Sequence, residues 1–492
     1  MGMDASKVSL WNELRERDLK VFARWLNPQT IDQAACLAGV AAGTGPLQLG
    51  TLVWLSLGSA LHTTKNFAGV MGLVLKLVHD DSQWSGSGLA ALQRRGQQQA
   101  RAERRSKHDP RGTDPGTISE EAFVQARKKM PWSFWVMLLV ILTAGFEKAH
   151  GDSTRWKNFR LLALDGTTIN LENWRRLTDH FGTASCGKGR RKTQARMVML
   201  QLPLVRMPWR YELTPLKEAE KTVAARLLAE LRHKDLVLMD RGFWSYALFA
   251  QIAERQAFFA IRQIAQAHLT TLRRLGPHDR LVRYRPSHWR KDWAERGWSR
   301  EMTLRVIKYQ VRGFRASAVV TNLLNPQIVP AADWVRLATV DDAGRVVEPG
   351  LYHRRWDIET TFRELKVTQG MQQSLRSRTP EGIRYEVAGH VLLYLLVRWL
   401  IVEAAVEVAE EDPLRLSFKG ALEELQDMRQ TLLHAPAEHV RRVLLPRLLQ
   451  RIASHRVPLR PGRHYPRPKD TQSKNKGKGR FQKPSKIGAA RT

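Results

Sequence analysis

The chain has 492 residues, 43% of them hydrophobic, which is enough to bury a sizeable core and too long for one typical domain, so several modules are expected. Lys and Arg outnumber Asp and Glu by 80 to 47, and a formal charge of +33 repels basic surfaces and attracts a polyanion, with nucleic acid the natural candidate and an anionic membrane the rival. Two cysteines, Cys36 and Cys186, without a CxxC or Cys/His cluster, disfavour a disulfide scaffold and a structural zinc site and fit a reducing cytoplasm.

The N-terminus, MGMDASKVSLWNELRERD, has acids where a signal peptide needs a basic start and an apolar run, so export is not expected. Residues 1–92 are predicted to form a helical N-terminal domain, with Leu10, Leu14, Leu19, Phe22 and Leu26 at near-helical spacing. No charged side chain occurs from Gln33 to Thr64, but glycines and Pro46 interrupt that stretch. A second charge-free run, Pro131 to Phe146, is 16 residues, short of the roughly 18 to 20 that span a bilayer. Both are expected to be buried helices, with no membrane partner. Residues 93–117, rich in Arg and Gln and closing on Pro and Gly, are expected to be a basic linker. Thr117 to Glu120 is a T-x-x-E capping box opening a helical lead-in over 118–158.

After Phe159 the pattern changes to alternating strand and helix. LLALD (161–165), ARMVMLQLPLV (195–205) and RYELT (210–214) are predicted strands, 218–234 a helix, DLVLMD (235–240) a strand, 246–256 a helix and FFAIR (258–262) a strand. The order β-β-β-α-β-α-β, with an Asp closing the first and fourth strands, is by analogy that of a ribonuclease H-like core. The predicted class is α/β: a ribonuclease H-like catalytic core at 159–263 and 350–410, interrupted by a mainly β insertion at 264–349, with all-α N-terminal and C-terminal regions. C-terminal helices are expected over 411–455. From Arg456 to Thr492 the tail holds twelve Lys or Arg against one acid, Asp470, and is expected to be disordered and to track phosphates.

Phosphodiester cleavage needs an activated water and a stabilised leaving alkoxide, which two divalent metals held by carboxylates on rigid elements can supply. Asp165 follows LLAL and precedes Gly166; Asp240 follows LVLM and precedes Arg241 and Gly242. Each is also compatible with an ordinary strand-to-turn Asp. A third carboxylate follows from helix geometry in LYHRRWDIETTFRELK. At about 100° per residue, Tyr352, Arg355, Glu359 and Lys366 share an arc of about 60°, while Asp357 and Glu364 face the other way. One stripe then carries a phenol, a guanidinium, a carboxylate and an ammonium, suited to a metal ligand flanked by phosphate-binding groups. A solvated helix face with Arg355 pairing to Glu359 explains the same spacing.

The spacing Y-x2-R-x3-E-x6-K of these four residues resembles the signature of DDE transposases of the insertion-sequence 4 family. LLALDGTT, VLMDRGFWS, VVTNLL and LRSRTPEGIRYEVAGHVLLYLLVR are similar to the same family in the same order, and the resemblance covers roughly residues 118 to 405. It implies cut-and-paste transposition in a bacterial cytoplasm, at the nucleoid. Asp165, Asp240 and Glu359 would hold two Mg2+ ions, with Mn2+ able to substitute, so that water nicks the element's end and the freed 3′-hydroxyl attacks the opposite strand and later the target. Tyr352, Arg355 and Lys366 would bind DNA phosphates near a flipped base, on which Trp289, Trp293 or Trp298 could stack. It also implies terminal inverted repeats and target DNA as partners, end recognition by residues 1–92 and the linker, and a homodimer in the synaptic complex. Two other classes are open: a catalytically inactive, transposase-derived DNA-binding protein, and a glycosidase with paired carboxylates, which explains neither the charge nor the Arg/Lys stripe.

Overall fold

The computed structural model describes residues 20–40, 49–63, 120–128, 130–185, 191–310, 316–335, 339–340, 346–347, 350–410, 412–428, 431–432 and 435–458. Leu10, Leu14, Leu19, Thr117, Cys186, the basic linker and the tail beyond residue 458 lie outside them.

Among the described residues a mixed α/β architecture is built around a sheet of eleven strands. Its long members are β1 (Phe159–Asn170), β2 (Arg191–Leu202), β3 (Met207–Pro215), β4 (Asp235–Met239), β5 (Phe258–Arg262), β6 (Leu269–Gly276), β7 (Asp279–Tyr284), β8 (Met302–Tyr309) and β9 (Ser317–Thr321). They lie in the order β3-β2-β1-β4-β5-β9-β8-β7-β6. β1 runs antiparallel to β2 and parallel to β4, and β4 runs parallel to β5. The strands of the predicted insertion are antiparallel to one another, and β9 pairs with β5, so this segment widens the core sheet.

β1 does not stop at Asp165. Residues 159–164 are buried, and Ala163 and Leu164 pair with β2 on one edge and β4 on the other. Beyond them the parallel partner ends, and β1 continues to Asn170 on its antiparallel pairing with β2 alone, with Asp165, Gly166 and Thr167 half-buried. The helix predicted over 218–234 is shorter, Glu220–Leu228. The chain must turn before β4, and the Asp235 carboxylate closes that turn by accepting the Arg232 N–H at 2.7 Å. Lys234 takes up a left-handed φ of 64°.

The helices form the second layer. Helix α1 (Pro28–Leu37) is capped by Asn27, whose side chain accepts the Thr30 N–H; α2 is Leu49–Leu61, α3 Glu120–Lys128 and α4 Trp132–His150. The apolar segment that begins at Pro131 thus extends past Phe146, because the chain stays helical through Glu147 and Lys148. Among the described residues two helical stretches, Trp132–Thr154 and Pro380–Glu407, are long and apolar enough to cross a bilayer; of the most apolar 18 residues, 39% in the first and 94% in the second lie buried inside the molecule. That second helix, α7, is capped by Thr379 and is the hub of the helical layer. Leu52 of α2 accepts the Tyr385 hydroxyl, Trp25 stacks on Trp399 and Arg24 pairs with Glu403. The helix predicted from Tyr352 is not uniform: a 3-10 turn (Leu351–Trp356), helix α6 (Asp357–Arg363) and a π turn (Glu364–Thr368) follow one another, ended by Gly370 at φ 79°. Helix α5 is Glu220–Leu228.

Candidate active site

The parallel pairing of β1 and β4 ends at Leu164 opposite Met239. Asp165, the next residue of β1, and Asp240, the residue after β4, therefore follow side by side where the parallel pairing ends. Asp240 leads into a 3-10 turn over Arg241–Phe243. The stripe packs across this end. The Tyr352 hydroxyl donates to the Met239 carbonyl at 2.9 Å, immediately before Asp240. Arg355 donates from both terminal nitrogens to one Glu359 oxygen at 3.2 Å and lies 3.7 Å from an Asp165 oxygen. Lys366 donates to the Thr167 hydroxyl at 2.7 Å and to the Thr168 carbonyl at 3.2 Å, on the outgoing part of β1.

Arg355 therefore links Asp165 to Glu359 while itself only 4% exposed, its guanidinium 4.5 Å from the Trp356 ring. The i, i+4 pair foreseen as an ordinary surface interaction is present, but it is formed over the carboxylates. Asp357 and Glu364 are held elsewhere. Arg206 reaches Asp357 at 2.8 Å and Glu364 at 3.6 Å, and Glu364 also takes the Tyr394 hydroxyl at 2.6 Å and pairs with Arg398. Burial acts to raise the Glu364 carboxyl, but Arg398 and Arg206 hold it below the usual range. Sequence reasoning gave Arg206, Tyr394 and Arg398 no role, although the last two lie in the segment LRSRTPEGIRYEVAGHVLLYLLVR.

Burial pushes the Asp165 carboxyl up to about 6; the Gly166 N–H, at 2.8 Å, and Arg355 oppose this, while Glu359 and Glu220 add to it. Burial likewise raises the Tyr352 phenol, with Arg355 opposing and Asp240 adding, and desolvation lowers the Lys366 ammonium. Among the described residues no three acidic, His or Cys side chains already form a metal cage. The donor set is nevertheless all oxygen, the chemistry hard Mg2+ takes. Burial is what raises Asp165, and a bound cation would offset that desolvation.

Lys221, at the start of α5, donates to the Trp244 carbonyl at 2.7 Å, tying that helix to the loop after Asp240. The three insertion tryptophans are half-buried and gather on Tyr246. Trp293 stacks on it at 5.5 Å, Trp289 meets both edge-on, and Trp298 lies 6.2 Å from Trp293.

A family model described as "Transposase DDE domain" matches residues 156–396. The chain is 27% identical to the transposase InsG for insertion sequence element IS4 of Escherichia coli (strain K12), across 71% of this chain and 76% of that protein. Among solved structures, a piggyBac transposase synaptic complex with hairpin DNA matches 90% of this chain and 86% of its own at 8% identity, with a TM-score of 0.38.

Proposed function

We infer that this chain belongs to the DDE transposases of the insertion-sequence 4 family and propose that Asp165, Asp240 and Glu359 are its catalytic carboxylates. It is a polynucleotidyl transferase that acts on DNA, in a family that uses divalent metal. The observation that carries the residue assignment is the register of β1 against β4, with Arg355 spanning Asp165 and Glu359 over it.

The strand order β3-β2-β1-β4-β5, with only β2 antiparallel to both its neighbours, supports the finer reading of the core as ribonuclease H-like. Bound Mg2+ at the three carboxylates would lower the pKa of a water and offset charge on the leaving oxygen. The protein's own groups do the rest. The sheet holds Asp165, within β1, and Asp240, at the end of β4, at constant separation, and Tyr352 locks the β4 end through the Met239 carbonyl. Arg355 neutralises the acids until DNA arrives and is then free to turn to a phosphate, while Lys366 sits on the β1 side where the cleaved strand would pass. The domain reading is retained: residues 1–92 and the linker for end recognition, and 411–455 for a homodimer in the synaptic complex, which sedimentation with and without DNA would test. Cytoplasmic, nucleoid-associated action is the corresponding location.

The test is Mg2+-dependent cleavage of DNA carrying the element's ends. Wild type should cleave and Asp240→Ala should not; equal behaviour would refute the assignment.

A further inference from the structure

The hairpin joining β2 to β3 turns at residues 203–206 and belongs to the sheet that holds Asp165. Met199 of β2 lies opposite Asp165, and Leu202 pairs with Met207 across the turn. The last turn residue is Arg206, in the left-handed region at φ 51°, a conformation that a Cβ disfavours and glycine adopts freely. Its side chain reaches far beyond the turn. Nε and Nη2 of Arg206 both donate to one Asp357 oxygen, at 2.9 and 2.8 Å, and Nη1 lies 3.6 Å from a Glu364 oxygen. Asp357 opens α6 and Glu364 follows its last residue, so one guanidinium holds the helix at both ends, by the face opposite Glu359. The contact is sheltered, with the arginine side chain 19% exposed and each carboxylate 11%. Glu364 is also held from α7, by the Tyr394 hydroxyl and by Arg398. Glu359, in contrast, is 46% exposed and is carried by the helix.

We propose that Arg206 is a positioning residue for the reaction: its grip on Asp357 and Glu364 fixes the roll of α6 against the sheet, and so where Glu359 stands relative to Asp165. The inference rests on the proposed active site. A planar fork that engages two carboxylates one helix length apart resists rotation of the helix, which a single point contact does not. Metal-binding carboxylates tolerate little displacement, so the effect should be felt in the chemical step.

The test compares the full chain as wild type, Arg206→Gly, Asp357→Ala and the double variant, each under conditions where urea unfolding shows it folded. Glycine suits φ 51°, so Arg206→Gly relieves the turn while removing the grip. Affinity for DNA carrying the element's ends, read by fluorescence anisotropy, should stay within about twofold of wild type, since no DNA contact is removed. The single-turnover cleavage rate at saturating DNA should fall roughly 10- to 100-fold, and the Mg2+ concentration giving half of the maximal rate should rise. The double variant should lose no more than Arg206→Gly alone, because both substitutions break the same contact. A merely structural arginine would lower the urea midpoint and leave the rate per folded molecule unchanged. Folded Arg206→Gly cleaving within about twofold of wild type, or a double variant whose loss is the product of the two single losses, therefore overturns the proposal. Where Arg206→Gly does not fold, the rate of Asp357→Ala decides by the same limit. Glu359→Gln separates the two levels. If it cleaves like wild type, the active site itself is wrong, whereas an inactive Glu359→Gln beside an unimpaired Arg206→Gly removes only the role of Arg206.

Discussion

Asp165→Asn should stabilise the metal-free protein while abolishing cleavage, and the pH dependence of that stabilisation is specific. The folded chain raises the Asp165 carboxyl from 3.8 to about 6, chiefly by burial. The sign follows from proton linkage: between those values the folded state binds more protons than the unfolded one, so stability falls as pH rises. The loss is complete above about pH 6 and absent below the unfolded value. A shift of about two units is worth roughly 3 kcal/mol at most. The side chain keeps 20% exposure, so roughly 1 to 3 kcal/mol is the expected range. Asn has the same shape, can still accept the Gly166 N–H and carries no charge. In EDTA at pH 8 the variant should therefore be more stable than wild type by that amount, and at pH 5 by about half of it. Adding Mg2+ should raise wild type towards the variant and leave the variant unmoved. The assay is denaturant or thermal unfolding followed by tryptophan fluorescence at the two pH values. A variant no more stable than wild type at pH 8, or an advantage that does not shrink at pH 5, refutes the electrostatic account of this site.

Two carboxylates five positions apart should respond oppositely to the same change. Glu364→Gln leaves Arg398, 1% exposed, without its charge partner and should cost about 3 to 5 kcal/mol in urea unfolding, whereas Glu359→Gln, at a side chain 46% exposed, should cost under about 1 kcal/mol and lose cleavage. Similar stability losses in the two would contradict the division of the helix into a catalytic and a structural face. Deleting residues 456–492, which carry twelve Lys or Arg, should weaken binding to all DNA sequences and flatten the log–log salt dependence by roughly 0.9 for each phosphate no longer neutralised. An unchanged slope in a fluorescence-anisotropy titration would remove the tail from DNA binding.

The sequence by itself determined the elements whose signal is local. Runs such as FFAIR and DLVLM announced strands because a strand covered on both faces is apolar along its centre, and both lie where their composition puts them. The spacing of Tyr352, Arg355, Glu359 and Lys366 was legible because helical periodicity is a property of neighbours in the chain, and it singled out Glu359 from Asp357 and Glu364. Even there the uniform helix was an idealisation, since the π turn at Glu364–Thr368 coincides with anchors that are remote in sequence, Arg398 and Tyr394 on one side and Thr167 on the other.

Tertiary structure alone decided which acids meet. That β1 runs on past Asp165, that its parallel partner stops one residue before Asp240, and that β9 joins the insertion to the core sheet are matters of pairing register, which a single strand's composition does not encode. The same holds for the Arg355 bridge to Asp165, across 190 positions, and for Glu220, whose place beside Gly166 has no trace in the 54 positions that separate them. Periodicity reports which face of an element a residue occupies. What that face meets is set by the packing of the whole chain.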